Sequence, residues 1–325
     1  SVGLVTGAFA EDKKKIYEMK TGYVGPPSMM GGYRGTPYMD EEIFSRTDAH
    51  VKLIPIVGNN RENLTKVVSG VHQADYDGTS IYADIAKPIW SMLDMPFIWT
   101  DYERINKFRN SDLFTPIRHA LDHKGLEVLA ITCYGIVNVQ TLNTPANTIV
   151  DLKKLKYRTT GTNTHIRTME LLGIKSQMIP FPEVYALLKQ NVLDGTIISA
   201  DGVHLGKWEE LLKYYIEFPV FNGWLIFCVN KKWFDSLPAE YQSIIREAAK
   251  KMEEREVAQQ RYRDKYIEEQ FKSKGMQFIE MAPGELLSAQ KAMMPIYEDF
   301  AAKEGVGKEY FNKVMELIGD DLRLK

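Results

Sequence analysis

Residues 156–199 run strand, helix, strand, helix, strand almost without a gap. The order is KYRTT, NTHIRTMELLG stopped by Gly173, SQMIP, PEVYALLKQN opened by Pro182, and TIIS. An alternation this tight commits the segment to parallel strands, because parallel neighbours are joined only by a crossover over the face of their sheet. The same rhythm stands earlier. KIYEMKTGYV, HVKLIPIV and YDGTSIY read as strands, NRENLTKVVSGVHQ as a helix, and the Gly/Pro-rich GPPSMMGGYRGTP as a connecting loop. Two such units predict an α/β fold of two lobes, for which 325 residues give ample room. Ligands of open parallel sheets sit beyond the carboxyl ends of the strands, so the cleft between the lobes is the expected site.

A second feature ties the lobes together. From about Pro238 to Lys274, closed by Gly275, the chain reads as one helix, long enough to reach roughly 50 Å. Its apolar residues gather early (Ile244, Ile245, Ala248, Ala249, Met252) and late (Tyr262, Tyr266, Ile267, Phe271), around a charged EEREVAQQR. Such a helix is expected to pack on one lobe at each end.

Composition removes several function classes. The net charge is −2 and the lysines are spread along the chain, so no electrostatic footprint for nucleic acid is present. No apolar run approaches the roughly 18 residues needed to span a bilayer. The first ten residues, SVGLVTGAFA, end in Ala8-Phe9-Ala10 before EDKKK. They read as the tail of a secretory signal, which makes the protein exported and periplasmic, or else as a docked N-terminal segment. Cys133 and Cys228 each lie in an apolar strand-like stretch, too far apart in sequence for a CxxC motif. They read as buried free thiols, with a disulfide the alternative in an oxidising compartment.

No catalytic motif is present: HExxH, GxSxG and paired His/Cys metal spacings are all missing, and no cofactor or metal is expected. The loop GGYRGTP lacks the ending of a P-loop and the spacing of a dinucleotide fold. Of six scattered histidines only His119 and His123 fall at i,i+4, a spacing read as one solvated helix face. Arg158 is more pointed. An arginine inside a strand must face solvent, pair with an acid, or wait for an anion. This one opens a βα unit whose helix starts near Thr162 or Asn163, where a carboxylate meets both a guanidinium and helix-end amides.

Three stretches in fixed order carry a family likeness: DLKKLKYRTTG, IPFPEVYALLKQNVLDG and VNKKWFDSLPAEYQSIIREAAKK. With KVVSGVHQADYDGTSIY, LDMPFIW and KGMQFIEMAPGELLSAQKAMMPIYEDF, the chain resembles the extracytoplasmic solute-binding proteins of tripartite ATP-independent periplasmic (TRAP) transporters. The resemblance implies a two-lobed periplasmic-binding-protein fold with a long helix spanning both lobes. It also implies a carboxylate ligand delivered to an integral-membrane permease, and no enzymatic turnover. The first lobe is expected in residues 11–135 with about 221–255, and the second in 136–220 with about 256–325.

The resemblance also assigns site residues. Arg158 takes the place of the arginine that binds the substrate carboxylate, and Phe181, just before the PEVY helix, that of a pocket wall. Asn138 stands where many relatives carry a second arginine, Ile198 where they carry an asparagine, and Ser80 and Ala83 where sugar-acid binders are polar. With Trp99, Tyr134, Tyr82 and Trp224 expected near the lobe-facing segments, the pattern suggests one carboxylate on an apolar or aromatic body. An aryl or indolyl acid, or a related 2-oxo acid, is the expected ligand. An α/β enzyme acting on small organic acids, with Arg158 as anchor, and a protein presenting its ligand to a sensor are the alternatives.

Overall fold

The computed structural model describes residues 15–23, 35–159 and 162–325. Among these residues nine strands are formed: β1 (Tyr17–Tyr23), β2 (Val51–Val57), β3 (Ala74–Gly78), β4 (Leu126–Thr141), β5 (Lys156–Thr159), β6 (Lys175–Met178), β7 (Gly195–Ser199), β8 (Tyr214–Asn230) and β9 (Gln277–Glu280). They hydrogen-bond in the order β2-β1-β3-β8-β4-β7-β5-β6, with β9 on β8. Two parallel trios, β2-β1-β3 and β7-β5-β6, therefore hang on a shared antiparallel ribbon of the long strands β4 and β8.

The trios attach at opposite ends of that ribbon. β3 pairs with Leu225–Val229 of β8, and β7 pairs with Val137–Thr141 of β4. Each trio becomes a lobe, and among the described residues the ribbon is the only sheet connection between them. Between these attachments the β4–β8 register slips at Cys133/Gly135, and Gly135 sits at φ +111. That backbone conformation excludes other residues, and an added Cβ would lie 2.8 Å from the Asp264 carboxylate.

The long helix forms over Ala239–Ser273. Its first half packs Ile245, Ala248, Ala249 and Met252 against Met19, Met39 and Ile43. Its second half packs Ile267 and Phe271 against Val184, Leu188 and Trp208. Between them the buried face is polar, through Glu253, Glu256, Gln260 and Asp264. Arg109 and Arg118 close on Glu253, Arg263 on Glu256, and the Tyr102 hydroxyl donates to Asp264. The largest apolar cluster includes Trp90, Tyr157 and Met169, together with side chains of the C-terminal helices Met294–Ala301 and Gly307–Ile318. The last of these helices packs on Tyr102–Arg109, so the C-terminal tail also touches the segment assigned to the first lobe.

Several sequence expectations need correction. YDGTSIY is not one strand: β3 stops at Gly78 and Thr79–Tyr82 turns helical, held by hydrogen bonds from Thr79 Oγ1 to Asp94 and from Trp90 Nε1 to the Thr79 carbonyl. The end of the expected Gly/Pro loop already belongs to a helix, Gly35–Arg46, which packs on the long helix. Tyr262 and Tyr266 are 74% and 66% exposed, because the face that crosses β4 is the polar one and the tyrosines lie opposite it. His119 and His123 share no helix, for Thr115–Arg118 and Asp122–Lys124 are separate short turns. Cys133 and Cys228 are both free and buried. They stand on neighbouring strands, but Cys133 pairs with Trp224 and Cys228 with Val128, four residues away, roughly 13 Å along the ribbon and beyond disulfide reach. The expected signal remnant, residues 1–10, lies outside the described residues.

Candidate functional site

Alternation along β5 points Tyr157 and Arg158 to opposite faces. Tyr157 joins the large apolar cluster, and Arg158 emerges on the side of Trp208, flanked in register by Thr196 of β7 and Gln177 of β6. Arg158 is only 4% exposed. Its Nε donates to the Ile179 carbonyl at 3.1 Å, while Nη1 is buried with no hydrogen-bond partner. Among the described residues no acid pairs with it. Burial pulls its pKa down to about 10, opposed by the nearby Tyr134, so the group remains a cation at neutral pH. A buried charge without a counter-charge costs several kcal/mol, and a fold retains it where a ligand supplies the missing partner.

Aromatic rings surround that cation. The indole of Trp208 lies 6.0 Å from the guanidinium carbon, within cation–π range. The Phe181 ring stacks obliquely on Trp208, with centroids 4.8 Å apart. The half-buried Tyr134 has its phenol pushed up to about 12 by burial, with Arg158 lowering it and Asp94 and Asp77 raising it. Tyr134 therefore lies within electrostatic reach of Arg158, Asp94 and Asp77.

The helix that follows β5, Asn163–Leu172, is capped by Thr162, whose Oγ1 accepts the His165 N–H at 3.0 Å. The His165 ring packs on Phe221 with centroids 3.8 Å apart, and its Nε2 stands 4.0 Å from Asp94 Oδ1. Asp94, buried and raised to about 6 by that burial, accepts the Thr79 hydroxyl at 2.8 Å. His165, on the helix after β5, thus approaches Asp94, which lies in the Pro88–Asp94 turn after β3.

Asn138 donates its Nδ2 to Tyr215 Oη at 3.0 Å, and its β-partner Ile198 is buried in the cluster that holds Trp208. These two positions thus carry an amide tied to Tyr215 and a buried alkyl side chain. Ser80 is half-buried on the Thr79–Tyr82 turn, and Ala83 is exposed just after it.

Three residues expected to line the ligand are placed in the core instead. Trp99 stacks on Phe108 at 4.6 Å and gives its indole N–H to the Met92 carbonyl. Trp224 packs near Phe114 and gives its N–H to the Leu93 carbonyl. Tyr82 donates to Asp75 Oδ2 at 2.8 Å beneath Trp90. Their polar atoms are satisfied internally and their rings are enclosed, so they support the first lobe. Trp208 escaped the sequence reading, because a three-residue 3-10 turn, Trp208–Glu210, has no periodicity that shows which way a ring faces.

Among the described residues no three His, Cys, Asp or Glu side chains gather as metal ligands, and no helix is long and apolar enough to cross a membrane.

Comparison with known proteins agrees with this architecture. The model of the bacterial extracellular solute-binding proteins of family 7, a family of transport proteins rather than an enzyme class, matches residues 38–304. The 2,3-diketo-L-gulonate-binding periplasmic protein of Escherichia coli is 27% identical over 203 residues, 62% of this chain and 62% of the relative. The chain thus matches just under two thirds of that relative's length. The C4-dicarboxylate-binding periplasmic protein of Rhodobacter capsulatus is 24% identical over 256 residues, 76% of this chain and 74% of the relative. Among solved structures, the sugar acid binding protein of Advenella mimigardefordensis in complex with galactonate superposes with a TM-score of 0.84 at 19% identity, covering 94% of this chain and 98% of the other. A Bordetella pertussis extracytoplasmic solute receptor binding pyroglutamic acid gives 0.82 at 17% identity, covering 93% and 99%. At these identities the structural likeness speaks for the fold alone.

Proposed function

Because the chain belongs to the bacterial extracellular solute-binding proteins of family 7, we propose that it captures a small organic acid outside the cytoplasm and hands it to a TRAP-type membrane permease. The observation that carries this reading is the Arg158 guanidinium, buried and charged, with Nη1 unpartnered and, among the described residues, no acid paired with it. A carboxylate there receives charge-assisted hydrogen bonds from a planar fork that lysine cannot reproduce.

The relatives differ in what their names say they bind: 2,3-diketo-L-gulonate, C4-dicarboxylates, galactonate, pyroglutamic acid. A carboxylate is what these ligands share. For this chain we assign the rest of the ligand an aryl or indolyl body, as a monocarboxylate or 2-oxo acid. Phe181, Trp208 and Tyr134 gather around the clamp, Ile198 offers no polar group, and the Asn138 amide is engaged by Tyr215. The mechanism is closure of two lobes linked by the β4–β8 ribbon, which a ligand favours only by binding the closed form better. We keep the lobe division set out above as part of this proposal; the sheet changes partners along the ribbon, β3 pairing with Leu225–Val229 and β7 with Val137–Thr141.

The test is thermal stabilisation of ligand-stripped protein by a panel of aromatic acids, dicarboxylates and sugar acids. A ligand at a hundred times its dissociation constant adds about 2.7 kcal/mol to the native state. Stabilisation by an aromatic acid, recovered unchanged, supports the reading against an enzyme. Stabilisation by succinate or glucuronate alone removes the aromatic part and keeps the acid. Silence of every acid removes the whole reading.

A further inference from the structure

We propose that Trp208 is a positioning residue of the acid site: it fixes the orientation of the Arg158 guanidinium and braces the Phe181 wall, so that clamp and wall are set by one ring. The inference rests on the reading of Arg158 as the carboxylate clamp.

Three independent features of the chain serve the placement of this ring. The indole faces the guanidinium at 6.0 Å and the Phe181 ring at 4.8 Å, so it is the only aromatic among the described residues recorded against both. The residue before it, Lys207, holds φ +55, a left-handed conformation that a side chain adopts only where the surroundings enforce it. Gly206 is pressed against the indole, and a Cβ there would lie 2.2 Å from Trp208 Nε1 and 2.4 Å from Cε2. A glycine, a strained lysine and a 1% exposed tryptophan in succession make an expensive way to fill a core. They make sense as a way to present one flat face at a set place.

The guanidinium needs that face. Among the described residues it makes one hydrogen bond, from Nε to the Ile179 carbonyl, and a single contact does not by itself set the tilt of the plane. An indole within cation–π range narrows that freedom, and two parallel hydrogen bonds to a carboxylate form only when the plane is set. Phe181 stands on a 3-10 turn, Phe181–Glu183, and is only partly buried, so its ring too depends on the indole for a fixed position. Trp208 belongs to one buried cluster with Val203 and Leu212, and enclosure in that cluster restrains the indole itself.

A merely structural tryptophan and a positioning one differ in which ligands suffer when the ring is lost. The experiment compares wild type, Trp208→Phe and Trp208→Leu by calorimetric titration with indole-3-acetate and with indole-3-acetamide, its neutral isostere. If indole-3-acetate does not bind wild type, D-glucuronate and D-glucuronamide replace the pair. The expected result is that Trp208→Leu weakens the acid by tenfold or more and the amide by less than threefold, while Trp208→Phe keeps the acid within about threefold. Equal losses for acid and amide, or an unchanged acid affinity in Trp208→Leu, overturn the proposal. Should Trp208→Leu fail to fold, Trp208→Phe decides alone. A smaller flat ring must retain the acid-over-amide preference, and its loss or a parallel decline of both ligands counts against the proposal. Arg158→Ala in the same titrations separates the two levels of argument. If it binds the acid as wild type does, the clamp itself is wrong. If it loses the acid while Trp208→Leu does not, only the role of Trp208 is wrong.

Discussion

Replacing Arg158 by methionine should stabilise the free protein and abolish acid binding, a combination that a structural arginine does not produce. Methionine keeps the unbranched stem and removes the charge. In the native state the guanidinium is held at a pKa of about 10 against an ordinary 12.5, chiefly by burial. That difference corresponds to roughly 3 kcal/mol of unfavourable charge burial. Against it stands the Nε bond to the Ile179 carbonyl, whose loss costs about 1 kcal/mol. The net expectation is a gain of about 2 kcal/mol. With an unfolding entropy near 2.1 cal/mol/K per residue over 325 residues, that gain raises the midpoint by about 3 °C. Binding moves the other way. Two charge-assisted hydrogen bonds at roughly 1.5–3 kcal/mol each imply an affinity loss of about 10²–10⁴-fold. Differential scanning calorimetry of the stripped variant gives the first number and isothermal titration the second. A midpoint several degrees below wild type would refute the reasoning, since it would mean that Arg158 is repaid inside the protein. So would an unchanged affinity for the acid.

Other consequences follow from the centre of the long helix. Glu253 takes Arg109, Arg118 and the Ile131 N–H, so Glu253→Gln leaves two guanidinium groups short of a charge. It should lose about 3 kcal/mol, seen as a midpoint lower by about 4 °C. Asp264 is raised from 3.8 to about 7, by burial first, with Asp201 and Glu268 adding to it and hydrogen bonds from Tyr102 and Gln260 opposing. Its folded state holds the proton more tightly than the unfolded chain. Its contribution is therefore full below about pH 4 and is lost as pH rises to about 7, on the order of 4 kcal/mol at most. Asp264→Asn should flatten the midpoint between pH 4.5 and 7.5, and an unchanged slope would contradict the assignment. Gly135→Ala, at φ +111 with its Cβ 2.8 Å from Asp264, should lower the midpoint by several degrees, as measured by circular dichroism.

How much of this was legible in the chain depends on what carries the signal. The strand–helix alternation of residues 156–199 and the span of the long helix were readable, because turn residues and helix stops mark them locally. Arg158 stood out for a different reason, since a permanent charge inside a strand needs water, an acid or an anion, and the structure leaves it buried with Nη1 unpartnered. The faces of the long helix were not. Tyr262 and Tyr266 are apolar enough to look inward, and only the neighbours Arg109, Arg118 and Tyr102, more than a hundred residues away, make the polar face the buried one. Trp99, Trp224 and Trp208 look alike as letters. Their roles divide on what their neighbours are: the first two spend their N–H on backbone carbonyls within the first lobe, and the third meets a guanidinium.

The central claim is that an organic acid lies between the lobes with its carboxylate on Arg158, and a crystal structure of the protein with its acid bound tests it most directly. The account predicts two hydrogen bonds from the Arg158 guanidinium, one of them from the now unpartnered Nη1, to the two carboxylate oxygens, with Phe181 and Trp208 beside the rest of the ligand. An acid bound elsewhere, with Arg158 still alone or turned to a protein carboxylate, would contradict it.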